Sequence, residues 1–199
     1  MDNPLNAMLF AEDLMEFVLE RYGVIWDENK TGVRRFRNRI QKHFFKPDIG
    51  NAVFAMIAEN VEAIAGSYME LNRKGINCID DFRYEASITT IFYLKYGYNH
   101  KNYLNLCALF AGVTYYCFKN GDNSTFARNV ATASTQLLAY VVNFSIYTCN
   151  FYPEESWFDL LITARIIGRK IENGLFYTIS DDDDDEGIIL PYFILLNEL

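Results

Sequence analysis

The sequence of 199 residues contains little proline, glycine, histidine or cysteine. Its 4 prolines and 11 glycines are too few for a fibrous or loop-rich protein, and its 2 histidines leave little material for a multi-histidine metal site. The cysteines form no C-x-x-C pair, which argues against zinc and redox motifs. Single cysteines within apolar runs instead indicate buried thiols in a reducing compartment.

The net charge is also small outside one short run. The net charge is −8, of which residues 181–186 contribute six negative charges, so the rest of the chain is close to neutral. Such a run is typical of a solvated tail. We therefore predict one domain over residues 1–180, followed by an acidic, flexible tail over residues 181–199. A nearly neutral domain does not predict binding to nucleic acid.

Two long stretches, residues 102–118 and 129–153, contain no charged residue. A membrane-spanning helix needs about 20 apolar residues. The first stretch is slightly short, and the second contains many polar side chains, so we interpret both as buried core helices and keep a transmembrane hairpin as the alternative. Residues 1–13 lack the basic region of a secretory signal, and residues 188–196 are too few for an anchor. We expect a cytoplasmic protein without a transmembrane anchor.

Helical periodicity extends over most of the chain. Apolar residues recur at spacings of three and four over residues 10–25, 33–46, 53–71, 79–96 and 157–171. The segments 103–118 and 124–150 are apolar nearly all round, which is typical of helices buried on every side. No segment alternates with period two. We therefore predict one all-α domain of seven or eight helices, with an apolar central hairpin wrapped by amphipathic helices.

The segment 33–46 is the strongest basic feature, with six arginines and lysines around an apolar stripe. We interpret it as a surface helix that packs through its stripe, with contact to anionic lipid or nucleic acid as the alternative. Pro47 and Gly50 then predict a turn. Gly23 and Gly75 predict the ends of the helices that precede them.

The sequence contains no phosphate-binding loop, no G-x-S-x-G and no H-E-x-x-H motif. His100 and Cys107 are the nearest approach to a nucleophilic pair, but a cysteine within an apolar helix is normally inert. The aspartate run lacks the spacing of a calcium loop. We therefore predict that the protein is not an enzyme and uses no cofactor or metal.

Two motifs about fifty residues apart resemble those of the Bcl-2 family of apoptosis regulators. Residues 102–112, N-Y-L-N-L-C-A-L-F-A-G, are similar to the first homology motif, and residues 154–161, E-E-S-W-F-D-L-L, are similar to the second. Residues 12–18 are similar to the family's first-helix motif, and residues 53–71 occupy the place of the third motif. The resemblance covers residues 10–172 and is of the divergent, viral or invertebrate type.

The family's Gly-Arg pair is missing from the first motif. Leu104 and Asn105 stand in its place, or Lys101 and Asn102 in the other register. In the family, the arginine pairs with an aspartate on the bound ligand helix, and the glycine permits close helix approach. Because this pair is missing, we expect either a changed affinity for the family's ordinary ligands or a different ligand.

The resemblance implies a Bcl-2-like helical bundle that inhibits apoptosis. Such a protein binds BH-3 helices, the amphipathic helices of pro-death Bcl-2 proteins, in a hydrophobic surface groove. It also implies a host–virus interaction and a location that includes the mitochondrial surface. The candidate groove residues are Val61, Ile64, Tyr68, Ile88, Ile91, Phe92, Asn102, Asn105, Ala108 and Leu109. In the second motif, the candidate site residues are Trp157 and Asp159. We interpret Trp157 as a residue that anchors the packing of the last long helix.

Two other functions fit the same sequence. In the first, the protein has the Bcl-2 fold but inhibits innate-immune signalling through a surface or a homodimer interface, which the missing Gly-Arg pair favours. In the second, the central hairpin inserts into a membrane as a pore.

Overall fold

The computed structural model describes residues 3–26, 43–95, 97–121, 124–148 and 152–174. These residues form α-helices and contain no β-strand, which confirms the all-α prediction for the described ranges. The helices, in chain order, are α1 Asn3–Arg21, α2 Pro47–Glu59, α3 Val61–Arg73, α4 Ile79–Tyr93, α5 His100–Asn120, α6 Ser124–Asn143 and α7 Pro153–Glu172.

Helix α5 lies at the centre of the bundle. Every side chain from Tyr103 to Thr114 is buried, in agreement with the uncharged character of this stretch. Helix α6 packs along α5 and along α1, while α2, α3, α4 and α7 also contact α5. One continuous apolar core joins all seven helices. Burial of each large apolar side chain stabilises the fold by about 1.5–3 kcal/mol relative to exposure, which explains why the apolar helix is central.

The segment predicted as one helix over residues 53–71 is divided at Asn60. Helix α2 ends at Glu59 and α3 begins at Val61, and Asn60 itself has φ −110° and ψ 26°. The Asn60 Nδ2 donates a hydrogen bond to the Met56 carbonyl at 2.8 Å. Such a side-chain bond competes with the helical backbone bonds. The prediction of one helix is therefore wrong, although the apolar spacing continues across the break.

The predicted turn at Pro47 and Gly50 is also wrong, because both residues belong to α2. Lys46 is extended (φ −129°, ψ 141°), as is favoured before proline, and Pro47 opens the helix where no amide hydrogen is needed. Gly50 is required by packing, since a Cβ there would collide with the Phe17 ring of α1. Of the predicted basic helix, residues 33–42 lie outside the described ranges, and residues 43–46 are not helical.

Helix α6 was expected to continue to residue 150. It instead changes at Phe144 into a π-helical turn, Phe144–Thr148. Ile146 is fully buried in this turn, and the Tyr147 hydroxyl accepts a hydrogen bond from Trp157 Nε1 at 3.0 Å. The wider turn thus directs two successive side chains towards the core and towards α7.

Two predicted helix ends are confirmed. Gly23 and Gly75 follow α1 and α3 with φ of 74° and 70°, a left-handed conformation that favours glycine. None of the helices in the described ranges combines the length and the hydrophobicity that crossing a membrane requires. The predicted tail, residues 181–199, lies outside the described ranges.

Candidate functional site

Three of the helices that carry family-like motifs, α1, α5 and α7, meet at the amino-terminal end of α5. His100 Nε2 lies 3.2 Å from Ser156 Oγ, which joins the start of α5 to α7. The Phe10 ring of α1 lies between Tyr103 of α5 and Trp157 of α7, with centroid distances of 6.4 and 4.8 Å. Residues separated by more than 140 positions along the chain thus share one aromatic contact.

Trp157 is the centre of this aromatic cluster. Its ring stacks on Phe44 at 4.7 Å, and its side chain is buried. Because its Nε1–H donates to the Tyr147 hydroxyl, its polar atom is satisfied inside the core. Trp157 is therefore a packing residue in this structure, whereas Asp159, two positions later, is exposed.

The candidate groove residues of α3 fall into three environments. Val61 is 47% exposed at the start of the helix. Ile64 is fully buried and so close to α5 that a Cβ added at Gly112 would lie 2.6 Å from its Cγ2. Tyr68 is partly buried and stacks on Tyr116 of α5 at 5.8 Å. Helix α3 therefore rests directly on α5, with one edge open to solvent.

The candidate residues of α4 lie towards the outside of the bundle. Ile91 is 70% exposed, whereas Ile88 and Phe92 are partly buried. The end of α4 is tied to α5, because Asn102 Nδ2 donates a hydrogen bond to the Tyr93 carbonyl at 3.2 Å. Helix α4 packs on α5 and α6.

Three of the candidate residues on α5, which would form the floor of a groove, are covered by the surrounding helices. Asn105, Ala108 and Leu109 are buried almost completely. Asn105 and Gly112 are seven positions apart, which places them on the same face of the helix, and α3 covers this face at Gly112. A ligand helix would reach the floor only after α3 or α4 had moved.

Asn105 has a further peculiarity. Its Nδ2 is buried and has no hydrogen-bond partner among the described residues. A buried donor without a partner costs about 1–3 kcal/mol. This amide stands in the place that the resemblance assigns to the family's arginine, but it is covered in this structure.

Helices α3 and α4 both pack on α5 but make few contacts with each other. We use the name α3–α4 groove for the candidate site that the resemblance places between Val61 and Tyr68 of α3 and Ile88 and Ile91 of α4. Met69 of α3 is a further exposed apolar residue that the sequence analysis did not include among the candidates. It lies beside the apolar stripe of α3 rather than on it, and this position was the only sign of its exposure in the sequence.

Cys107 and His100 do not form a pair. Cys107 is fully buried, and burial raises the pKa of its thiol. His100 contacts Ser156 instead; burial lowers the pKa of its imidazole, and the nearby Asp159 opposes this shift. Cys107 therefore lacks the positive, accessible surroundings that activate a thiol.

No family model matches the sequence, and the searches of curated proteins and of solved structures also found no match. The resemblance to the Bcl-2 family therefore rests on motifs in the sequence alone.

Proposed function

We propose that this protein is a divergent Bcl-2-like inhibitor of apoptosis that binds BH-3 helices of pro-death proteins in the α3–α4 groove. The binding mode is that of an amphipathic helix whose apolar residues at i, i+3/i+4 and i+7 enter a hydrophobic groove.

The observation that carries the proposal is the meeting of the motifs. Residues 102–112 and 154–161 are about fifty residues apart in sequence, yet His100 and Ser156 bring their helices together. A buried central helix, flanked by α3 and α4 with exposed apolar residues on each, also suits a groove-binding protein.

The covered floor determines how binding would occur. Ala108 and Leu109 have no exposed surface, so α3 and α4 must separate as the ligand enters. The ligand would then supply apolar side chains to the floor and a carboxylate or carbonyl acceptor to the Asn105 amide. A peptide that folds as it binds also loses conformational entropy, so the groove must supply enough apolar contact to compensate.

Isothermal titration calorimetry against a panel of BH-3 peptides tests this proposal. We expect at least one peptide to bind with a Kd below ~10 µM, equivalent to about −7 kcal/mol. Val61→Glu and Ile91→Glu place a charge on opposite walls of the groove and are expected to weaken binding by at least tenfold, about 1.4 kcal/mol. Both positions are exposed, so neither change buries a charge.

Tyr140→Glu is the matched control, because Tyr140 of α6 is 67% exposed and lies outside the α3–α4 groove. It should leave the affinity unchanged. Absence of binding to every peptide, or an equal loss in all three variants, would contradict a BH-3 groove.

A second function is favoured by the covered floor. The same bundle could keep its groove closed and inhibit innate-immune signalling through a surface or a homodimer interface. In that case Tyr140→Glu or another surface change would abolish inhibition in a signalling reporter assay, while Val61→Glu and Ile91→Glu would have no effect.

A further inference from the structure

The outer face of α7 has an apolar ridge that is independent of the proposed groove. Phe158, Ile162 and Ile166 are spaced by four residues and therefore lie on one face of the helix. This face is opposite to Leu160 and Ala164, which are buried in the core. Phe158 is 59% and Ile166 is 51% exposed, an unusual position for large apolar side chains on a helix whose other face is already packed.

The chain that follows α7 has the composition to cover this ridge. Residues 175–199 lie outside the described ranges, and residues 188–196, I-I-L-P-Y-F-I-L-L, are all apolar except for the tyrosine hydroxyl. Gly174, two residues after the end of α7, has the left-handed conformation, with φ 63°. A chain that turns at this residue can run back along the helix that precedes it.

The distances allow such a return. Fourteen residues of helix separate Phe158 from Glu172, which corresponds to about 21 Å at a rise of 1.5 Å per residue. The thirteen residues 175–187 can extend over about 45 Å. The apolar segment 188–196 can therefore reach the whole of the ridge.

Charge favours the same arrangement. The last turn of α7 contains Arg169 and Lys170, both exposed. Arg169 lies three residues after Ile166, and thus on the next turn of the same side. A returning chain would bring the six acidic residues 181–186 past this basic turn before the apolar segment reached Ile166 and Phe158.

From this placement we propose that residues 188–196 of the same chain dock on the α7 ridge, guided by pairing of the acidic run 181–186 with Arg169 and Lys170. Attachment by a short linker gives the segment an effective concentration in the mM range. An intrinsic Kd of about 0.1 mM would then be enough to keep the segment docked about nine-tenths of the time.

Hydrogen–deuterium exchange of the full-length protein, followed by mass spectrometry, tests the proposal. We expect the amides of residues 188–196 to exchange at least about fivefold more slowly than in the free peptide. The double variant Phe158→Ser/Ile166→Ser should restore the rate of the free peptide. Arg169→Glu/Lys170→Glu should also reduce the protection, and in the unmodified protein the protection should decrease as salt concentration rises.

The matched control is Tyr84→Ser/Ile91→Ser on α4, which also alters two exposed apolar side chains. This variant should keep the slow exchange. Unprotected amides in the unmodified protein would overturn the proposal, as would protection that survives the α7 substitutions. Loss of protection in the α4 variant would instead place the segment in the α3–α4 groove, and loss on dilution of the protein would identify a second copy as the occupant; both results also contradict docking on α7.

Discussion

The two ends of α5 differ in how their side chains are satisfied. At the carboxyl-terminal end, Tyr115 stacks on Tyr22, which directly follows α1, at 4.1 Å, and Tyr116 stacks on Tyr68 of α3. Lys119 lies 5.7 and 5.9 Å from the centroids of these two α5 rings. These contacts join aromatic faces to each other and to a cation, so each group has a favourable neighbour.

At the amino-terminal end, polar atoms are buried without such compensation. The Asn105 Nδ2 and the Tyr98 hydroxyl have no hydrogen-bond partner among the described residues. The Tyr98 ring is edge-on to His100 at 5.3 Å, and burial raises the pKa of its phenol. The comparison indicates that buried polar groups without a partner lie at the amino-terminal end of α5, which Asn102 joins to α4 and His100 joins to α7.

The largest effect is expected from Gly112→Ala, which tests the tight contact between α3 and α5. The new Cβ would lie 2.6 Å from Ile64 Cγ2, so the helices must move apart. We expect a loss of about 1–3 kcal/mol in the free energy of unfolding, measured by chemical denaturation. Gly66→Ala is the control within α3: nothing lies within 4 Å of its Cβ, so the change should be neutral or stabilising.

Asn105→Leu is expected to have the next largest effect, and of the opposite sign. It replaces a buried amide with an apolar side chain of similar shape, and thus removes a donor that has no partner. The free energy of unfolding should rise by about 1–2 kcal/mol. Under the proposed function the same variant should bind BH-3 peptides more weakly. A destabilised Asn105→Leu protein would show that the amide is satisfied in solution and would remove the contrast between the two ends.

Lys119→Met tests the cation–π contacts at the carboxyl-terminal end. The methionine keeps an apolar stem of similar length but removes the charge that faces Tyr115 and Tyr116. We expect a loss of about 0.5–1 kcal/mol, because the site is exposed. Lys46→Met is the control, since Lys46 is also exposed and lies directly before α2. Equal losses in the two variants would indicate a general effect of charge.

The smallest effect concerns pH. The pKa of His100 is lowered, mainly by burial, and the groups that face it are Asp159, Ser156 and Tyr98. The unfolded chain therefore binds a proton first as the pH falls below about 6.5, the ordinary histidine pKa, and stability is lost from there downwards. His100→Gln should flatten the melting temperature between about pH 7 and pH 5. The variant His43→Gln, at an exposed histidine, should retain the original pH dependence.

The sequence predicted the helices well where a single physical signal dominated. The charge-free stretch 102–118 corresponds to α5 because only a fully surrounded helix can bury such a face, and Gly23 ended α1 as expected. The break at Asn60 was not predictable, because the apolar spacing continues through it and the decisive bond to Met56 is local. Gly50 was wrongly predicted to lie in a turn. The reason for glycine at this position is its close contact with Phe17, which is more than thirty residues away in sequence.

The candidate site was less accessible to prediction than the fold. Periodicity places Ala108 and Ile91 on helix faces, but it cannot distinguish a covered floor from an exposed wall, since both are apolar. That distinction depends on the separation of α3 and α4, which is a property of packing between helices. Likewise, the exposure of Phe158 follows from which face of α7 meets α2, and both faces of α7 contain large apolar residues.

The packing of α1 along α6 has a consequence for synthesis in the cell. About 120 residues separate the end of α1 from the end of α6. At roughly 5–20 residues per second, the ribosome needs about 6–25 s to supply the partner of the first helix. During that interval the face of α1 that packs on α6 remains uncovered. Its contact with Trp157 of α7 forms later still, because α7 follows α6 in the chain.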